Sequence, residues 1–285
     1  MITSQERAGG KALFPGRAMN PGGMIGLFIV GCVVLLSLLA PWISPHDPGL
    51  QDINQRLRPP AWPDHPLGTD GLGRDILSRI LHGARISLGI SLSAAVLSGV
   101  VGVSLGLFAG YFGGILDGLL SRLADIQQAV PFLVLAIGVT AVAGPGLLNL
   151  VLVLSVTTWV NYFRVVRAEV LAAREEQYVW AARAVGCSSA RIIFRHILPN
   201  VVASIIVVAT LLIANMMIFE ASLSFLGLGV PPGTPTWGRL VSDGREYVTS
   251  AWWLSFFPGM AIFITVMGIN LIGDWLRESL DPRSS

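Results

Sequence analysis

Lysine is almost missing from this 285-residue sequence: Lys11 stands alone, and Ala12 follows it. A GxxxxGK[ST] phosphate loop is thereby excluded, so any nucleotide chemistry has to come from another chain. Cysteine is equally scarce. Cys32 falls in an apolar run and Cys187 in a charged one, which leaves no disulfide framework and no CxxC redox pair. The four histidines, His46, His65, His82 and His196, are scattered, without the short spacing of a zinc site, and no metal site is expected. Charge is sparse as well. Only 13% of residues are charged against 53% hydrophobic, and mean hydropathy is +0.68, too apolar for a soluble domain. A net charge of +2 gives no reason to expect nucleic acid, because topology accounts for the arginines. Membrane lipid is the expected surrounding, and the class is an all-α membrane protein.

Residues 1–23 form a polar tail in which Arg7, Lys11 and Arg17 face a single acid, Glu6. Residues 24–43 are uncharged and match the roughly 20 residues that cross about 30 Å of hydrocarbon. The run exceeds a signal-peptide h-region and no A-x-A site follows, so it reads as an uncleaved anchor. Residues 44–84 turn polar and proline-rich, which favours an extended external segment ending in a short amphipathic helix. Thr69 and Asp70 read there as turn and capping residues rather than a metal or phosphate loop.

A core of five further crossings is expected over 85–277. Gly102, Gly106 and Gly110 repeat at GxxxG spacing inside an uncharged run, which lets a second helix approach closely. Spans near 121–142 and 147–166 are separated by Gly144-Pro145-Gly146, and Pro131 is expected to kink the first of them. A fifth crossing runs over 197–219 with Glu220 at its end, and an external loop over 221–249 follows. The last crossing covers 250–273, where Trp252, Trp253 and Phe256 suit a membrane interface. Residues 278–285 form a tail. Six crossings place both termini on one side, together with twelve of the 19 Lys+Arg; that bias makes the termini cytoplasmic.

Between the fourth and fifth crossings lies a charged stretch, residues 164–200, with Arg164, Arg167, Arg174, Arg183, Arg191 and Arg195. Helix formers dominate 167–185, with Tyr178, Ala181, Ala182 and Val185 spaced along one face. Gly186 ends that helix, and Ser188 or Ser189 caps a second one leading through Ile192, Ile193 and Ile197 to Pro199. Periodicity leaves two readings open: a helix docked in a partner's groove, or one lying flat among lipid headgroups.

The run YVWAARAVGCSSARIIFRHILPN resembles the EAA signature of permease subunits in binding-protein-dependent ABC importers. Ala181, Ala182, Gly186, Leu198 and Pro199 fall in register, and Trp180 stands where the motif has Glu. The stretches 67–88, 222–245 and 273–282 are similar to those of the dipeptide/oligopeptide/nickel branch, in particular its second permease (the C-type). The resemblance implies a type I ABC importer permease fold of six transmembrane helices in the cell inner membrane, with a cytoplasmic coupling region over 168–196. It further implies a heterodimer with a homologous permease, two cytoplasmic ATPases that bind the ATP and Mg this chain does not, and an external binding protein. The chain itself is then no enzyme. ATPase coupling falls to Glu175, Tyr178, Trp180, Ala181, Ala182, Arg183, Gly186, Leu198 and Pro199.

Polar residues on the fifth crossing, Thr210, Asn215 and Glu220, are candidates for the translocation path, since such groups are costly in a membrane. Against that, Asn215 can simply join helices, and Glu220 at a span's end is easily solvated. Arg56 and Arg58 are candidates for docking the binding protein. Di- or oligopeptides are the leading substrate, with nickel chelates and glutathione as alternatives. An ion-coupled secondary transporter is the rival class, and it would be expected to show broken helices, midplane carboxylates and an internal repeat.

Overall fold

A computed structural model describes residues 20–144, 146–231 and 233–280. The charged tail residues Arg7, Lys11, Arg17 and Arg283, and Pro145 of the expected turn, lie outside them. Among the described residues five helical stretches are long and apolar enough to cross a membrane: Pro21–Ile43, Ile76–Phe112, Leu147–Ala173, Ser189–Phe225 and Trp253–Leu280. A shorter pair, Gly114–Ala129 and Phe132–Ala143, is bent by 96° and makes a sixth crossing when taken as one. In chain order the α-helices are α1 (Pro21–Ile43), α2 (Ile76–Phe112), α3 (Gly114–Ala129), α4 (Phe132–Ala143), α5 (Leu147–Ala173), α6 (Gln177–Ala184), α7 (Ser189–Arg191), α8 (Leu198–Phe225), α9 (Trp237–Gly244) and α10 (Trp253–Leu280).

Several expected boundaries move, each for a local reason. The second crossing starts at Ile76, so the short amphipathic helix expected before residue 85 is the first part of α2. Asp75 caps it, accepting from Ser78 N at 2.7 Å, and so satisfies a donor that would otherwise be orphaned. Pro131 does more than kink a span. Proline drives the preceding residue out of the helical region, Val130 is extended, and the chain turns sharply between α3 and α4. The external segment conforms to its prolines, holding only a short 3₁₀ turn at Ile53–Gln55.

Gly102 and Gly106 let α2 and α5 touch backbone to backbone. A Cβ on Gly102 would lie 2.3 Å from the Trp159 carbonyl oxygen, and one on Gly106 3.0 Å from that of Phe163. The GxxxG spacing therefore marks a helix contact within this chain, the kind that holds helices together where lipid removes the hydrophobic drive. Polar contacts fix α3 beside α5: Arg167 pairs with Asp117, Arg164 Nη2 lies 2.6 Å from Asp125 Oδ1, and Trp159 Nε1 donates to Gln127 Oε1 at 2.8 Å.

The ends of the bundle can be told apart. α2 spans about 55 Å at 1.5 Å per residue. Its start meets residues 65–75 and α9, whereas Gly110 near its far end accepts from Arg174 Nη1 at 3.0 Å. Asn20, before α1, donates to Glu278 near the end of α10 at 2.7 Å. The first and last described residues therefore share the end of the bundle that carries α6.

Candidate functional site

The expected single helix over 167–185 is two helices. α5 continues to Ala173, a turn follows through Arg174, Glu175 and Glu176, and α6 begins at Gln177. At the break the Arg174 guanidinium reaches back to Gly110 O and across to Glu175 Oε1, each at 3.0 Å. α6 is short, and packing holds it. Val179 and Ala182 point inward, joining Leu107, Val170, Ile192, Ile193 and Ile197 in one apolar cluster. Ala182 is 7% exposed, so it belongs to the anchoring face and not, as its spacing suggested, to the face shared by Tyr178, Ala181 and Val185.

The outward face includes Tyr178, Trp180 and Ala181, with Val185 just past the helix end, all exposed. Trp180 is 53% exposed but not loose. The Arg183 guanidinium lies 5.3 Å from the Trp180 ring centroid and 5.3 Å from that of Tyr111 at the end of α2, close enough for attraction to both rings. Arg183 thereby ties α6 to a span. Tyr178 makes a second tie, its hydroxyl accepting from Asn200 Nδ2 at 3.2 Å.

Gly186 closes α6 as a Schellman motif. Its φ is +77°, Cys187 N donates to Ala182 O at 3.0 Å, and Gly186 N donates to Arg183 O at 2.9 Å, the paired bonds that satisfy a helix's last carbonyls. Ser188 caps the next turn. Residues Ile192–Ile197 are π-helical, for a reason visible one turn on: Pro199 has no N–H for the Arg195 carbonyl. Leu198 is half-buried and Pro199 exposed in the first turn of α8.

Of the path candidates, Glu220 is displaced most. α8 runs on to Phe225, so Glu220 lies inside it and is 1% exposed. Its Oε1 accepts from Ser224 Oγ and Thr236 Oγ1, each at 2.8 Å, and Thr236 in turn caps α9. Glu220 is thus a structural acceptor joining α8 to α9, which removes the expectation of an easily solvated span end. Thr210 Oγ1 donates to Val207 O at 2.8 Å and faces Gly273 of α10. Asn215 is exposed on α8.

The opposite end of the bundle carries a buried ionic network. Asp70 pairs with Arg74 Nε at 2.7 Å and with Arg79, while Asp243 of α9 pairs with Arg239 Nε at 2.8 Å and lies 3.7 Å from Arg79 Nη2. An open cleft of about 610 Å³ adjoins it, lined by Arg56, Arg74, Arg239, Arg245 and Tyr247 among others. Arg56 and Arg58 are both exposed, and Arg56 Nη2 donates to the Tyr247 hydroxyl at 3.3 Å. Trp253, expected at the lipid interface, is buried, with Nε1 donating to Thr69 O at 3.2 Å, whereas Trp252 and Phe256 are exposed.

Residues 102–285 match the family described as the binding-protein-dependent transport system inner membrane component, and residues 18–60 match the N-terminal TM domain of oligopeptide transport permease C. The chain belongs to this permease family. It is 46% identical over 269 residues to the dipeptide transport system permease protein DppC of Escherichia coli, covering 93% of this chain and 90% of the relative. It is 42% identical over 271 residues to the di/tripeptide transport system permease protein DppC of Pseudomonas aeruginosa, covering 93% and 89%. A chain of the inward-facing MetNI methionine ABC transporter superposes with TM-score 0.58 at 18% identity, over 72% of this chain and 98% of that one. The protein is thus a multi-pass inner-membrane transport subunit with the all-α type I ABC importer permease fold.

Sequence reasoning about this permease passed over Val179, Asp243 and the role of Arg183. Val179 carried a signal, since it is three residues before Ala182 on the same helical face. Arg183 and Asp243 carried only local signals, Trp180 three residues earlier and Arg239 four residues earlier; their other partners, Tyr111 and Arg79, are remote in sequence.

Proposed function

We propose that this permease forms, with a homologous second permease, the path for di- or oligopeptides in an ATP-driven importer. The observation that carries the reading is the division of α6 into an anchored inner face and an exposed outer one. Two cytoplasmic ATPases, which hold the ATP and Mg, receive Tyr178, Trp180, Ala181 and Val185 in surface grooves. Their closure on ATP pushes α6, and its rigid ties to α2, α5 and α8 carry the displacement into the spans. Both termini lie on that cytoplasmic side, consistent with the arginine bias. Where relatives of this family use a charge, Trp180 docks by packing, with its ring held by Arg183.

Peptide as substrate rests on the names of the relatives. Uptake by vesicles containing the complete transporter and its binding protein tests it, with dipeptides, oligopeptides, a nickel chelate and glutathione as competing solutes. Saturable, ATP-dependent peptide uptake is expected. Uptake of the chelate or glutathione alone would transfer the assignment to that solute.

The opposite end of the bundle receives the binding protein on the external segment and the loop after Phe225, around the cleft whose lining carries Arg56, Arg239 and Arg245 beside the acids Asp243 and Glu246. Arg58→Glu is the cleaner probe there, because among the described residues the Arg58 side chain makes no hydrogen bond, its backbone N–H alone donating to Thr69, whereas Arg56 also steadies Tyr247. Reversal of an exposed charge acts mainly on the association rate. About 10-fold slower binding-protein association is expected in low salt for Arg56→Glu with Arg58→Glu, and less at high salt. An unchanged rate at both salt concentrations would remove these residues from the docking surface.

A further inference from the structure

Two histidines that lie far apart in sequence meet at the non-α6 end of the bundle. His46 follows the end of α1, His65 sits in the proline-rich segment, and Asp75 caps α2. The ring centroids of His46 and His65 are 4.6 Å apart. His65 Nδ1 is 2.9 Å from Asp75 Oδ1, and His46 Nδ1 is 3.9 Å from the same oxygen. Ligand atoms of all three side chains lie within 4.8 Å of one another.

The hydrogen bonding around these atoms is incomplete in a particular way. His65 Nε2 meets Gln55 Oε1 at 2.6 Å. An amide oxygen only accepts, so this contact puts the proton on Nε2 and turns the Nδ1 lone pair toward a carboxylate. Two acceptors face each other there unless a cation lies between them. A proton on His65, or a reversed Gln55 amide, satisfies that pair alone. His46 Nδ1 would still be shut off from solvent without a hydrogen-bond partner, and such a buried group is costly. One ion shared by all three atoms satisfies every one of them.

We propose that His46, His65 and Asp75 bind a divalent first-row transition metal, with Zn²⁺ the best match. Two imidazoles and a carboxylate suit Zn²⁺ rather than Mg²⁺ or Ca²⁺, and an open position is left for water. Zinc–ligand bonds of about 2.0–2.2 Å place tetrahedral ligand atoms about 3.4 Å apart, and the observed 2.9 and 3.9 Å separations bracket that value. Gln55 supplies the outer contact that orients a metal-bound histidine. Asp75 loses nothing as a cap, because Ser78 N uses its other oxygen, Oδ2, at 2.7 Å. The ion fastens the end of α1, the proline-rich segment and the start of α2 at one point, whatever solute the permease carries.

The test uses the purified full-length chain without a polyhistidine tag, stripped with a chelator and titrated with Co²⁺, then Zn²⁺, alongside thermal unfolding. His46→Ala removes a ligand but no side-chain hydrogen bond of the cluster, and its backbone bond from His46 N to Ser78 Oγ remains. One metal ion per chain is expected, with Co²⁺ absorption typical of nitrogen and oxygen ligands and a raised Tm in Zn²⁺. His46→Ala should bind at least about 10-fold more weakly while keeping the metal-free Tm, and His196→Ala, at the other end of the bundle, should bind as wild type. Equal metal uptake by wild type and His46→Ala overturns the proposal, as does a wild-type Tm that Zn²⁺ leaves unmoved.

Discussion

Asp70→Ala is expected to destabilise the isolated permease by about 3–5 kcal/mol, the cost of stranding a buried charge. The carboxylate sits between two guanidiniums, pairing with Arg74 and with Arg79, and Arg79 is 1% exposed. Arg79 is already short of partners: its Nε and Nη2 make no hydrogen bond, and Asp243 stands 3.7 Å from Nη2. Without Asp70, no other carboxylate among the described residues comes within hydrogen-bond distance of Arg79, Asp243 remaining at 3.7 Å. Asp70 also accepts from the backbone N–H groups of Leu72 and Arg74, at 2.8 and 2.9 Å, so the turn leading into α2 loosens at the same time. The check is the thermal midpoint of the purified chain in detergent, read beside Asp70→Asn, which keeps one acceptor, and beside the double variant Asp70→Ala with Arg79→Met. The double variant should be more stable than Asp70→Ala alone, because the stranded charge has gone with its partner. If all three midpoints fall equally, lost packing rather than the unpaired arginine is responsible.

The same network shows what the sequence could and could not reveal. Asp70 was legible as a turn residue, since local side-chain to backbone bonds leave local signatures, and Gly102 and Gly106 were legible as a helix contact through their spacing. The apolar runs located the crossings. Their ends moved because caps and prolines act on single residues: Asp75 extended α2 toward the chain's start, and Pro131 divided α3 from α4. Long-range pairs were invisible. Nothing near Glu220 announces that Thr236 will donate to it, and nothing near His46 announces His65. Those contacts arise only when α8 is brought against α9, or when the proline-rich segment folds back onto α2. Burial in such places depends on what arrives from elsewhere in the chain, so Glu220 looked like a solvated end although it is an internal acceptor.

Ala182→Asp is expected to reduce substrate-stimulated ATP hydrolysis by the assembled transporter at least 10-fold, a change of about 1.4 kcal/mol in the coupled barrier, while membrane insertion is retained. The reason differs from the one that spacing suggested. Ala182 is not on the exposed face of α6; with Val179 it anchors the helix to the apolar cluster around Val170, Ile193 and Ile197. A carboxylate there enters an apolar cluster and costs several kcal/mol if it stays buried, so α6 must swing outward or unwind. The spans do not depend on that anchor, because α2 and α5 are joined along Gly102 and Gly106. Two further variants grade the effect. At Gly186 an added Cβ meets no atom within 4 Å, and the φ of +77° costs a leucine about 1–2 kcal/mol of backbone strain at the helix end, so an intermediate loss is expected for Gly186→Leu. Trp180→Ala removes one cation–π contact worth about 0.5–1 kcal/mol together with part of the outer face, and leaves the anchor in place. If α6 transmits force as a rigid strut, losing the anchor must cost more coupling than losing outer-face area. Full stimulation of ATP hydrolysis by purified Ala182→Asp transporter would show that motion reaches the spans by a route other than α6.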